Sequence, residues 1–204
     1  MTVLPRNSAL RVTPVTLEGE HVRLEPLTAS HTDALMRAGE PDDIWTWLPW
    51  RPSTRADWEA WIARALDAQE AGDELPFATV TRAAGEVVGS TRFLAISPPN
   101  RRLEIGATWL NPRVQRTLVN TECKYLLLRH CFETLGCLRV ELKTDARNTN
   151  SQRAIARIGA TQEGVFRKHQ LAQHGFQRDS VYFSVIDDEW PAVKRRLEAM
   201  LARR

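Results

Sequence analysis

Hydrophobic positions along the chain recur with two periods, and the switches between them divide the sequence into elements. His21-Val22-Arg23-Leu24-Glu25 alternates with period two and reads as a strand closed by Pro26. Further strands are expected at Pro76 to Thr81, Glu86 to Ala95 and Leu103 to Leu110, with a hairpin turn at Ala84-Gly85 and a loop at Pro98-Pro99-Asn100. Leu138 to Lys143 alternates with Val140 and Leu142 on one face. Gly164 to Leu171 and Asp179 to Val185 read as a hairpin around His174-Gly175.

Helical spacing fills the intervals. Ser30 is a plausible N-cap for a short helix carrying Leu35 and Met36, broken by Glu40-Pro41-Asp42-Asp43. From Thr54 to about Ala71, Trp58, Trp61, Ile62, Ala65 and Leu66 fall on one stripe, and Gly72 stops the helix. From Val119 to Leu135 the inward positions are Cys123, Leu126, Leu127, Cys131 and Leu135, with Gly136 as the stop. Ser151 to Ile158, closed by Gly159, and Glu189 to Ala202 complete the set. One strand, two helices, three strands, helix-strand-helix and a closing hairpin make a mixed α/β sheet with helices on both faces. The unit from Leu103 to Lys143 is expected to be a right-handed parallel crossover. Residues 16–204 form one domain in this reading, and residues 1–15 a flexible or loosely docked tail.

Composition narrows the function classes. With 43% hydrophobic and 26% charged residues the chain is an ordinary globule. No run approaches the ~20 apolar residues of a membrane-spanning helix, and Met1 to Val15 lacks an apolar block of signal-peptide length, so a cytoplasmic protein is expected. Cys123, Cys131 and Cys137 are odd in number and form no Cys-x-x-Cys pair, and the five histidines are scattered. No disulfide framework and no metal are expected. A formal charge of +3 and a pI near 9.0 are weak for a nucleic-acid binder. The basic cluster Lys194-Arg195-Arg196 reads as the solvated face of the last helix.

Chemistry concentrates between Glu104 and Gly159. A strand ends at Asn111-Pro112, and the segment Gln115-Arg116-Thr117-Leu118-Val119-Asn120-Thr121-Glu122 opens a helix. Unpaired amides and aligned peptide dipoles at such a joint make an anion site. Thr117, Asn120 and Thr121 can cap the helix or touch phosphate. The glycines of a Rossmann or Walker loop are absent.

That segment, the strand before it, Asn148-x-x-Ser151…Ile158-Gly159-Ala160, and the closing Glu163-Gly164-Val165-Phe166-Arg167 and Arg178-Asp179-Ser180-Val181-Tyr182-Phe183-Ser184 together resemble the GNAT N-acetyltransferase superfamily. The similarity is closest to the branch of ribosomal-protein N-terminal acetyltransferases. It implies a single GNAT-type domain with a mixed, mostly antiparallel sheet of about seven strands. It also implies acetyl-CoA as co-substrate, an amine acceptor such as a protein N-terminus or a small molecule, and a possible homodimer. By the same resemblance Gln115, Arg116, Thr117, Leu118, Val119, Asn120 and Thr121 cradle the pyrophosphate, while the strand near Trp109 and Leu110 and the side chain of Asn148 hold pantetheine. A backbone amide near Trp109 or Leu110 is the expected oxyanion donor. Leu118 and Asn120 stand where the family has small residues, so Leu118 is expected to point away from the pyrophosphate.

For the reaction, Glu104 is the expected base, its other reading being a surface carboxylate paired with Arg101 or Arg102. Ile155 stands where relatives place an acidic tyrosine. Ser151 is the nearest replacement as proton donor to the thiolate, and could also be the N-cap of its helix. Glu122, in the first turn, reads mainly as a dipole partner. Five of seven tryptophans lie within 17 positions: Trp58 and Trp61 as a buried stripe, Trp45, Trp47 and Trp50 as a loop suited to an acceptor wall. A rival reading, favoured by Leu118 and Ile155, is a catalytically degenerate module that binds acyl-CoA or a peptide.

Overall fold

The computed structural model describes residues 10–172 and 175–202. Eight strands form one sheet: β1 (Leu17–Glu18), β2 (Val22–Pro26), β3 (Leu75–Thr81), β4 (Val87–Ser97), β5 (Arg102–Leu110), β6 (Arg139–Asp145), β7 (Thr161–Leu171) and β8 (Gln177–Ile186). Their spatial order is β1-β2-β3-β4-β5-β6-β8-β7, and every neighbouring pair is antiparallel except β5 with β6. This is the mixed sheet with a central parallel crossover that the element order predicts. The additional strand is β1, whose two residues are too few to show a period. His174, at the tip expected for the closing hairpin, lies outside the described residues.

Five helices cover the two faces. Helices α1 (Thr32–Ala38) and α2 (Arg55–Glu70) cover one, over Trp45, Trp58, Trp61, Ile62 and Ala78. Helix α2 begins as the sequence requires: Thr54 accepts from the Asp57 amide, and Asp57 accepts from the Thr54 amide at 2.8 Å. The other face carries α3 (Leu118–Arg129), α4 (Thr149–Arg157) and α5 (Trp190–Leu201), over a larger core that includes Phe77, Phe93, Leu103, Leu126, Val140 and Phe183. The segment expected as one helix from Val119 to Leu135 changes to a π turn over His130–Thr134, where the Leu135 amide reaches back five residues to the His130 carbonyl. Leu10 is buried in the larger core, with Val12 and Val15 packed beside it. Among the described residues no helix is long and apolar enough to cross a membrane, and no cluster of three metal-ligating side chains occurs.

One long-range contact fixes where α3 starts. The Glu122 carboxylate accepts from the backbone amides of Glu20 (2.8 Å), His21 (2.7 Å) and Val22 (2.7 Å). A Cβ on Gly19 would lie 2.3 Å from the Glu122 carboxyl carbon, so only glycine lets the β1–β2 turn close around it. The carboxylate expected as a dipole partner is therefore a clamp between α3 and the first hairpin. Glu122→Ala leaves three amides unpaired and is expected to cost about 3 kcal/mol of stability. Urea unfolding checks this, with the circular dichroism of the native baseline retained.

Candidate active site

The parallel ladder between β5 and β6 is short. Arg102 pairs with Arg139, Leu103 with Val140 and Glu104 with Glu141, and the pairing stops there. Immediately beyond, Ala107 has φ of 46°, and the register of β5 against β4 shifts between Ser90 and Arg92. This is a bulge, and it bends β5 away from β6. Past Glu104 the facing edges of the two strands have no partner in the sheet, and Ala107 and Thr108 are partly buried. The two strands therefore part in the middle of the sheet, leaving a cleft between them.

On the face of α3, the loop after β5 delivers the chain to the helix N-terminus. Arg116 takes the left-handed φ of 61° that turns the chain, and Thr117 caps α3 by accepting from the Val119 amide at 3.3 Å. Gln115 Nε2 donates to the Leu110 carbonyl at 3.0 Å, tying the loop to the strand end. Arg116, Thr117, Leu118 and Thr121 line a cavity of about 750 Å3, closed on its far side by Arg157 of α4 and Arg196 of α5. Arg157 reaches Thr121 Oγ1 at 3.3 Å. Leu118 thus faces the cavity rather than turning away from it. Val119 is buried in the larger core and Asn120 is half-buried. Arg196, read from sequence as part of a solvated basic face, is a wall of this cavity.

The α4 side differs from expectation in its cap. Asn148 accepts from the Ser151 amide at 3.0 Å, so Asn148, and not Ser151, is the N-cap. Both residue types cap well, and sequence alone does not choose between them. The Ser151 hydroxyl and the Asn148 Nδ2 have no hydrogen-bond partner among the described residues. Ile155 is buried in the larger core.

On the opposite face, Glu104 is 3% exposed and accepts from Lys143 Nζ at 2.7 Å. It pairs with neither Arg101 nor Arg102; Arg102 binds Glu141 at 3.1 Å instead. A Cβ on Gly106 would come within 2.5 Å of Glu104 Oε1, so Gly106 provides the space for the carboxylate. Burial pushes the Glu104 carboxyl above its ordinary range, against the opposing pull of Lys143. Arg147 lies beyond, held by Asp145 at 2.9 and 2.7 Å, with its guanidinium 3.6 Å from the centre of Phe176 and 5.0 Å from Trp47. It links the loop after α1 to the β7–β8 hairpin. Trp47 is thus at the groove. Trp45 is not: at 2% exposure it packs between Trp50, Trp58 and Trp109 and donates to the Gly39 carbonyl. Trp50 is half-buried and packs on Trp45 and Trp61. Trp109 and Leu110 bury their side chains in opposite cores.

Lys124 and Thr108, like Lys143 and Arg147, had no role in the sequence reading. Lys124 of α3 is 7% exposed and donates to Thr108 Oγ1 at 2.9 Å. Burial pulls its ammonium down to about 8, with Glu104 and Cys123 opposing. The legible signal was its helical spacing, because Leu127 and Leu128 follow three and four residues later on the buried side.

The GNAT acetyltransferase domain family matches residues 21–161, so the chain belongs to that family. A GCN5-related N-acetyltransferase from Brucella melitensis is 37% identical, with 98% of this chain and 91% of that one covered at a TM-score of 0.89. A probable acetyltransferase of the GNAT family from Chromobacterium violaceum is 31% identical, with coverage of 94% and 96% and a TM-score of 0.84. Mycobacterium smegmatis RimJ, in complex with CoA-disulfide, shares the fold at 23% identity, with coverage of 92% and 95% and a TM-score of 0.80. A search of the curated proteins returns no match. The protein is an acyltransferase that uses acetyl-CoA as co-substrate.

Lys124 has a measurable cost. An ammonium lowered from 10.5 to about 8 destabilises the folded state at neutral pH by about 3 kcal/mol. Lys124→Met is therefore expected to raise the unfolding midpoint near pH 7. The cost is complete below pH 8 and relieved as pH climbs towards 10.5, so the gap between the two proteins should narrow over that interval. Paired urea melts across the interval measure it; a constant gap would contradict the assignment.

Proposed function

We propose that the protein transfers the acetyl group of acetyl-CoA to a primary amine, on a protein N-terminus or a small molecule, by direct attack in a ternary complex. The observation that carries this reading is the cleft where β5 parts from β6. A buried carboxylate stands on one face of the sheet, and a helix N-terminus with a basic cavity stands on the other. Acetyl-CoA supplies the activated acetyl group. Amides of the first turn of α3, with Arg116, Arg157 and Arg196, suit its phosphates. The free edge of β5 and the unpaired Asn148 Nδ2 suit the amide groups of pantetheine.

Glu104 is the base. An amine must lose its charge before it can attack, and chain-terminal amines, at about 7.7–8.0, need less help than lysine-like ones at about 10.4. A carboxyl raised by burial is the better acceptor for that proton, and Lys143 keeps it oriented. The acceptor enters over Trp47, Phe176 and Arg147. In this reading the protein works in the cytoplasm.

Calorimetric titration tests the cofactor reading: acetyl-CoA and CoA should bind and ATP should bind far more weakly. Arg196→Ala should weaken acetyl-CoA on the order of tenfold and flatten the salt dependence. Glu104→Gln should lower turnover about 100-fold or more while acetyl-CoA affinity stays nearly constant. The wild-type rate should fall in acid with a midpoint above the ordinary glutamate value of about 4.3. If that acid limb survives in Glu104→Gln, another residue is the base.

A further inference from the structure

The reaction as proposed does not use the buried cation Lys124. Lys124 enters the larger core from α3, beside Cys123, and its Nζ meets a single acceptor, Thr108 Oγ1 at 2.9 Å. An ammonium carries three donors, and two of these have no partner among the described residues. Thr108 is partly buried, directly follows the bulge at Ala107, lies 2.7 Å from Thr91 Oγ1 and donates to the Gly106 carbonyl at 3.4 Å. Its hydroxyl therefore lies where β5 leaves β6, on the α3 face, with a buried cation behind it. The charged and titratable groups that act on Lys124 are Cys123 from its own helix and Glu104 from β5, on the other side of the strand.

We propose that Thr108 gives its hydroxyl proton to the departing CoA sulfur and that Lys124 replaces that proton, making the pair the acid of the reaction. The inference rests on the acetyl-transfer reading above. The amine nitrogen bonds to the acetyl carbon and its proton passes to Glu104. The carbon–sulfur bond breaks with its electron pair on sulfur. Sulfur takes the Thr108 proton, the Thr108 oxygen takes one from Lys124 Nζ, and Lys124 is left neutral. As products leave, water returns a proton to Lys124 and takes one from Glu104, so amine and thioester become amide and thiol. Thr108 is the catalytic residue and Lys124 acts through it. At about 8, Lys124 is matched to a thiol, whose ordinary value is about 8.5. Ser151 offers a hydroxyl with no cation feeding it, and Ile155 offers no proton.

The test reads the thiol of bound CoA through its thiolate ultraviolet absorbance, titrated with pH and corrected for the free protein. Calorimetry first establishes that CoA is bound. In the wild type the bound thiol should titrate below free CoA. Lys124→Met and Thr108→Val should each raise it by about one unit and lower turnover tenfold or more, with CoA still bound; the double variant should be no worse than either single one. Thr108→Ser should restore the wild-type titration. A wild-type thiol that titrates as free CoA does would overturn the pairing even if a variant failed to fold. So would a shift that survives both substitutions, or one removed by Ser151→Ala alone. Failure of the wild type to bind CoA would bring down the acetyl-transfer reading itself, which separates the two outcomes.

Discussion

The parting of β5 from β6 is the constraint on which the site depends. A sheet gains by completing its ladders, so a gap at its centre needs a cause that outweighs the lost hydrogen bonds. Ala107 supplies it with a left-handed backbone that a side-chain-bearing residue takes at a cost of about 1–3 kcal/mol. The cost is tolerable because β5 remains paired to β4 up to Leu110, and β6 remains paired to β8 from Arg139 to Asp145. The two halves of the sheet are held from outside, and only their shared edge is opened. The same crossover that places β6 beside β5 carries α3, whose N-terminus therefore lies at the mouth of the gap.

Glu122, Glu104 and Lys124, three of the buried charges close to this gap, differ in how completely they are paired, and the difference distinguishes a scaffold role from a proposed chemical one. Glu122 has three backbone amides and no access to the cleft, the arrangement of a carboxylate that holds a turn in place. Glu104 has one partner, Lys143, and Lys124 has one, Thr108. A buried charge with one partner is costly to keep and free to exchange a proton. Glu104 and Lys124 stand on opposite faces of one strand, separated by the residues of the bulge. In the proposed reaction, amine deprotonation and thiolate protonation occur at opposite ends of one reacting group, and such a placement would serve both without a charge crossing the sheet.

Much of the fold was legible because its signals are local. The alternation at Val140 and Leu142, the Thr54 cap and the stripe of α2 each need only a few neighbouring residues. The resemblance in the stretch from Gln115 to Gly159 pointed to the family for the same reason. Pairings across the sheet were not legible. Glu104 and Lys143 are 39 positions apart, and their contact follows from the register of a parallel ladder that no sequence period encodes. Arg101 and Arg102 were nearer in the chain, but the fold turns Arg102 to Glu141. Trp45 was misplaced because a Pro-flanked loop reads as surface, whereas this one folds into a short 3-10 turn that inserts the ring between α2 and the sheet.

The two mouths of the cleft are built to different tolerances. The α3 mouth is formed by helices that share the larger core, and its geometry follows from the packing of Val119, Leu126, Ile155 and Val193. The mouth proposed for the acceptor is formed by a loop and by β7, an edge strand along which Val165, Phe166 and Leu171 remain exposed. Only Arg147, between Trp47 and Phe176, connects its two walls at the described contacts, and a cation held by one carboxylate and two ring faces is far easier to alter than a packed core. Substitutions at Trp47, Arg147 or Phe176 can therefore reshape this mouth without disturbing the larger core or the bulge.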